Sequence, residues 1–228
     1  MSRTFRIWVP VALLLFCTAP VFAQKAQWAK AYTWQGKGSQ QTPIFFVTTD
    51  KWRVVYRPKG KGPFQVVLND ESQRKPQTIT DQKGYPLSAG RKGLRDMGRY
   101  FLTIAAPDAE WELVVEQHLT PIQEWHLRQL AKKEAPKLDL LATYAGEAGE
   151  EEFEIEVPRG SWKLFTHVEG AGKLDVAITR TGDDSEVLNL TDLSAGDSGT
   201  WVHQSGTYTL RTKAADGCLW KLYVCATK

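Results

Sequence analysis

Asp50-Lys-Trp52-Arg-Val-Val-Tyr56 returns 110 positions later as Gly160-Ser-Trp162-Lys-Leu-Phe-Thr166. In the first stretch Trp52, Val54 and Tyr56 alternate with Lys51, Arg53 and Arg57. A period of two is that of a strand with one packed face and one wet face. The correspondence then spreads outward. Gly60 and Gly62 meet Gly170 and Gly172, and Phe64, Val66 and Leu68 meet Leu174, Val176 and Ile178. Leu87-Ser-Ala-Gly90 reappears as Leu193-Ser-Ala-Gly196, Gly98-Arg-Tyr100 as Gly206-Thr-Tyr208, and Trp111-Glu-Leu113 as Trp220-Lys-Leu222. Order, spacing and residue class agree over most of the chain, so it carries a tandem duplication.

Within each copy, short alternating runs are closed by Gly, Pro, Asn and Asp clusters, and no helical period interrupts them. Such runs bury their apolar faces by pairing antiparallel and stacking two sheets. The expected fold is all-β, with two tandem antiparallel β-sandwich or jelly-roll-like domains. The four repeated tryptophans (Trp52, Trp111, Trp162 and Trp220) read as core. The first sandwich is expected over 24–119 and the second over 139–228. Between them, over 120–138, Thr120-Pro-Ile-Gln123 has the pattern of a capping box with proline at the first helical position. Ile122, Trp125 and Leu130 fall on one face of that helix, Lys132 and Lys133 suit its C-terminal end, and Pro136 stops it.

Composition agrees with two cores. The chain has 228 residues, 42% of them hydrophobic and 24% charged, which excludes wholesale disorder. A net charge of +3 is too small to argue for nucleic acid. The charge is nonetheless divided: residues 24–119 carry 15 Lys+Arg against 9 Asp+Glu, and residues 139–228 carry 8 against 15. Opposite halves can dock on one another, serve different partners, or drive head-to-tail association.

Residues 1–23 read as a secretory address. Arg3 and Arg6 precede the apolar run Ile7 to Phe16, and Val21-Phe-Ala23 offers a small-residue cleavage site before Gln24. The expected compartment is secreted or periplasmic, and no segment approaches the roughly 20 apolar residues of a membrane span. Export would remove Cys17 and leave Cys218 and Cys225. An intervening strand would hold these about 23 Å apart, well beyond the roughly 7 Å a disulfide spans. An early break in the strand would let them pair.

Catalytic motifs fail one by one. Gly196-Asp-Ser198-Gly199 spells the tetrapeptide around a serine-protease nucleophile, but the first copy has Gly90-Arg-Lys-Gly93 in the same place. The segment therefore reads as a duplicated loop with its middle free. The histidines show no metal spacing. Asp183, Asp184, Glu186, Asp192 and Asp197 form an acidic stretch without the calcium-loop pattern, so no cofactor is expected, with structural calcium in these loops as the alternative. Glu150-Glu-Glu152 reads as a charged edge or turn. Aromatic residues outside the duplication are more informative, since an exposed tryptophan can stack on a sugar or anchor a protein. The candidate partner-binding residues are Trp201, in the loop after Gly199, then Trp28, Trp34 (opposite Tyr144) and His203.

The second copy resembles the bacterial pre-peptidase C-terminal domain. The likeness is carried by Phe153-Glu-Ile-Glu-Val-Pro158-Arg-Gly160, Gly172-Lys-Leu-Asp175-Val-Ala-Ile178 and Ser205-Gly-Thr-Tyr208-Thr-Leu210. It covers about 70 residues, and the first copy follows it more loosely. The resemblance implies a jelly-roll-like sandwich that is itself non-catalytic. In Lys173-Leu-Asp175 the acidic pair expected around the leucine has lost its first member. The expectation is an exported, non-enzymatic tandem module that binds an envelope protein or polysaccharide. Two alternatives stand beside it: a self-associating structural component, and a hydrolase with a site between the sandwiches around His203, Asp197 and Asp192.

Overall fold

The computed structural model describes residues 25–71, 75–182 and 185–228. The expected leader, Cys17, Asp183 and Asp184 lie outside the described residues. The first copy contains β1 (Gln27–Lys37), β2 (Gln40–Gln41), β3 (Phe45–Val47), β4 (Trp52–Gly60), β5 (Phe64–Asp70), β6 (Gln77–Gln82), β7 (Gly90–Leu94), β8 (Gly98–Ala105) and β9 (Ala109–Leu119). Helix α1 (Pro121–Lys133) follows. The second copy contains β10 (Leu138–Gly146), β11 (Gly149–Val157), β12 (Trp162–Gly170), β13 (Leu174–Arg180), β14 (Glu186–Leu193), β15 (Gly196–Val202), β16 (Gly206–Ala214) and β17 (Cys218–Thr227).

The strand orders are β1-β9-β4-β7 and β2-β8-β5-β6 in the first copy, with β3 also on β8; in the second they are β10-β17-β12-β15 and β11-β16-β13-β14. With β2 and β3 counted as one broken strand, both copies have the same order, the first strand beside the last and the second beside the seventh. All pairs are antiparallel. That is the double Greek key of a jelly roll, written twice.

The duplication holds down to its irregularities. β1 bulges between Lys30 and Tyr32, and β10 bulges at the same place between Leu140 and Ala142. Gly36 lies opposite Trp111 and Gly146 opposite Trp220, and an added Cβ at either glycine would strike the indole. The hydroxyl of Tyr100 donates to the carbonyl of Asp96 at 3.1 Å, and that of Tyr208 to Gln204 at 2.7 Å. Trp52, Trp111, Trp162 and Trp220 are all buried in the two cores.

Proline explains one place where the copies part. β11 is continuous, but Thr42-Pro43-Ile44 separates β2 from β3, because Pro43 has no N–H to give the ladder. Thr42 repairs the gap: its N–H donates to the Leu102 carbonyl and its hydroxyl accepts from the Leu102 N–H, both at 2.9 Å.

The helix begins as expected, with Thr120 and Gln123 in a reciprocal capping box. Its packing face is different. Leu127 is buried with Ala29 and Leu119 of the first sandwich, while Ile122 and Trp125 are 65% and 57% exposed. No helix among the described residues is long and apolar enough to cross a membrane. Cys218 and Cys225 stay on one unbroken strand as free thiols, Cys218 in the core and Cys225 on the opposite face.

Candidate functional site

β15 is an edge strand, and the short β2 stands against it. Trp201 therefore lies on a strand, in register with Lys163 of β12, and not in the loop expected after Gly199. Its ring is 7% exposed. It stacks on His203, with the planes 5° apart and centroids 5.9 Å apart. On the other sandwich Phe101 meets the imidazole at 4.2 Å. Phe101 is buried although it belongs to neither sandwich's own core. Together the three rings form a small core between the copies.

Hydrogen bonds fix the same junction. His203 Nε2 is 2.8 Å from the Thr42 carbonyl oxygen, which can only accept, so Nε2 carries the hydrogen. Nδ1 then accepts from the Ser161 hydroxyl at 2.9 Å. The imidazole is neutral in this arrangement. Burial pushes its pKa down to about 4, partly opposed by the bond to Thr42. Nearby, Gln41 N–H donates to the Thr200 hydroxyl and the Thr191 hydroxyl donates to the Pro107 carbonyl, each at 3.1 Å.

A Ser161–His203 pair has the outline of a nucleophile and its base, but an imidazole with a pKa near 4 is a weak acceptor of a serine proton. The acidic residues expected around it are engaged elsewhere. Asp197 accepts from His167 Nδ1 at 2.6 Å, and Asp192 from Lys173 at 2.7 Å. Asp197 is six residues from His203 along an extended strand, about 20 Å away at 3.3 Å per residue. His203, Asp197 and Asp192 are not brought to one centre. Among the described residues no group of three or more His, Cys, Asp or Glu is arranged to hold a metal.

Beside the junction opens a groove of about 580 Å³, the size of a small-ligand site. Gln35, Lys37 and Gln40 of the first sandwich form one wall. Lys163, Phe165 and the Asp192–Ser198 turn of the second form the other. Behind that wall Thr166 turns its side chain to the inner face of β12; the residue is 2% exposed, and its hydroxyl has no hydrogen-bond partner among the described residues. A buried hydroxyl left unpaired costs about 1–3 kcal/mol. Asp192 adopts φ 57°, an uncommon conformation that Asp tolerates better than most residues. Its N–H donates to the Asp175 carboxylate at 2.7 Å. His167 donates from both ring nitrogens, to Asp197 and to Glu169, and these bonds raise its pKa, Asp197 most.

Lys163 spans the space between groove and junction. Its ammonium lies 4.0 Å from the Phe165 ring centroid and 5.9 Å from that of Trp201. Burial lowers its pKa, and the neighbouring Cys225 opposes this. The remaining sequence candidates sit elsewhere. Trp34 stacks on Tyr32 at 5.7 Å and packs against the first core through Phe45. Trp28 is 39% exposed, with the Arg53 guanidinium over its ring at 4.1 Å. Glu150-Glu-Glu152 lies on the edge strand β11, as the charge run suggested.

Of the groove residues, Asp192 and Asp197 were among the sequence candidates, but Lys37, Lys163 and Phe165 were not, although a signal was present. Where β4 reads Arg53-Val-Val-Tyr56, β12 reads Lys163-Leu-Phe165-Thr166. The second copy thus puts an aromatic ring on the outer face and a hydroxyl on the inner face, against the expected alternation.

No family model matches the chain, and no curated protein does. It is similar at low identity to several solved structures. A conserved Pseudomonas aeruginosa protein of unknown function shares 11% identity, with 86% of this chain and 78% of that one covered and a TM-score of 0.28. The PBSX exported protein XepA shares 9%, with 88% and 86% covered and a TM-score of 0.29. A triple-jelly-roll turret protein of an archaeal virus shares 10%, with 89% and 55% covered and a TM-score of 0.26. The jelly-roll assignment rests on the strand order of the chain itself.

Proposed function

We propose that this chain is an exported, non-catalytic tandem β-sandwich that binds an envelope or extracellular partner in the groove between its two jelly rolls. The observation that carries this reading is the groove's composition. Both copies contribute walls to it, and the half-buried Phe165 ring lies in it beside the half-buried Lys163. A junction locked by three rings and several hydrogen bonds gives those walls a fixed spacing, which lowers the ordering cost of binding.

The test is affinity capture from a crosslinked envelope fraction with the purified protein and its Phe165→Ala variant. The variant should lose most of the capture while keeping its melting temperature within a few degrees. Capture that is indifferent to Phe165 would remove the groove as the binding site.

A further inference from the structure

We infer that the groove takes a carboxylate-bearing saccharide, with Lys163 and Lys37 meeting the carboxylate from opposite walls and Phe165 lying against a sugar ring. This rests on the groove being the binding site.

Charge accounting around the groove points to an anion. Neither Lys163 nor Lys37 makes an ion pair among the described residues. Lys163 is also partly withdrawn from water, and its ammonium lies against the Phe165 and Trp201 rings with Cys225 nearby. A cation in that setting is under-compensated, and an incoming carboxylate would restore a charged hydrogen bond. The acids in the same walls are already engaged, Asp192 by Lys173 and at longer range by Lys37, and Asp197 by His167. Glu169 is likewise held by His167.

The rest of the lining suits a sugar better than a peptide or a nucleotide. Gln35 and Gln40 supply amides, and Thr191 and Ser198 supply hydroxyls, matching the mixed donor and acceptor pattern of sugar hydroxyls. Gln40 Nε2 donates to the Lys37 carbonyl at 3.1 Å, which holds the side chain and leaves its Oε1 as an acceptor. Phe165 supplies the apolar face on which a ring's C–H groups can rest. A phosphate or sulfate site would call for bidentate arginine or clustered backbone N–H groups. Among the described residues no arginine lines this groove.

The experiment is a binding titration of the purified protein against polygalacturonate, alginate and hyaluronate. Carboxyl-reduced polygalacturonate and dextran sulfate serve as the neutral and sulfated arms. At least one uronate polymer should bind, its reduced counterpart should bind at least about tenfold more weakly, and Lys163→Gln should weaken the uronate about tenfold, or 1.4 kcal/mol. The variant's melting temperature should stay within a few degrees. Equal binding of reduced and native polymer would overturn the carboxylate assignment and leave a neutral-glycan groove. Dextran sulfate binding as tightly as the uronates would overturn it in favour of unselective anion attraction. Failure of all three uronates would also overturn it. Whether the groove reading falls with it is then decided separately, by the Phe165-dependence of envelope capture.

Discussion

His203 gives its one ring hydrogen to the carbonyl oxygen of Thr42 across the junction, 2.8 Å away. That contact exists because Pro43 breaks the strand and leaves the Thr42 carbonyl outside the ladder. Charged groups that line the two cavities beside His203 are Glu71 and Arg99 of the first sandwich, Glu134 after the helix, and Arg180 of β13. Glu71 and Arg99 are paired with each other.

The pH dependence of stability follows from this burial. A solvated histidine titrates near 6.5, and His203 is held at about 4. Between those values the unfolded chain binds a proton that the folded chain refuses. The contribution of His203 to stability is therefore complete above about pH 6.5, falls as the pH drops towards 4, and levels off below, a loss of about 3 kcal/mol at most. Thermal unfolding at pH 7.5 and 4.5 should show a larger drop for the wild type than for His203→Gln. An equal drop in both would place the acid sensitivity elsewhere.

His167 should behave in the opposite sense. Its bonds to Asp197 and then Glu169 raise its pKa, so the stabilisation it brings is present below about pH 6.5 and is lost as the pH rises through the raised value. A proton NMR titration should place its midpoint above that of a free histidine. Asp197→Asn should lower the midpoint more than Glu169→Gln; the reverse order would contradict the geometry.

Two tryptophans that look alike in the sequence should respond very differently. Trp162→Ala empties the second core and should cost about 3–5 kcal/mol. Trp125→Ala, on the exposed side of α1, should stay within about 0.5 kcal/mol. Urea denaturation of the two variants against the wild type reads both, and a large loss from Trp125 would mean the helix packs on the face its sequence suggested.

Alkylation under native conditions should label Cys225 slowly and Cys218 hardly at all, since burial raises both thiol pKa values and Cys218 lies in the core. Mass spectrometry after unfolding without reductant should find both residues alkylated. A Cys218–Cys225 crosslinked peptide would show that the strand had broken.

What the sequence made readable follows from local rules. Period-two alternation located strands such as β4 and β12, the 110-residue offset paired them, and the Thr120–Gln123 box marked where α1 starts. Packing between elements was harder to read. Ile122, Trp125 and Leu130 share a helical face, but α1 touches the sandwich only where Leu127 falls, and periodicity does not say which face docks. Trp201 and Phe101 point out from their own sheets, so alternation assigns both to solvent. Only the meeting of the sandwiches buries them. The groove is read in the same incomplete way, because Lys163 and Lys37 become neighbours of one space through docking alone.

The position of β15 has one more consequence. An edge strand offers unpaired backbone groups to any extended chain that drifts past, which is how sheet proteins begin to aggregate. Here the neighbouring copy stands against that edge, with Gln41 held to Thr200. Conditions that separate the sandwiches, acid among them, would uncover the edge as well as change the groove. Loss of docking should then be seen first as a rise in light scattering, before either jelly roll melts.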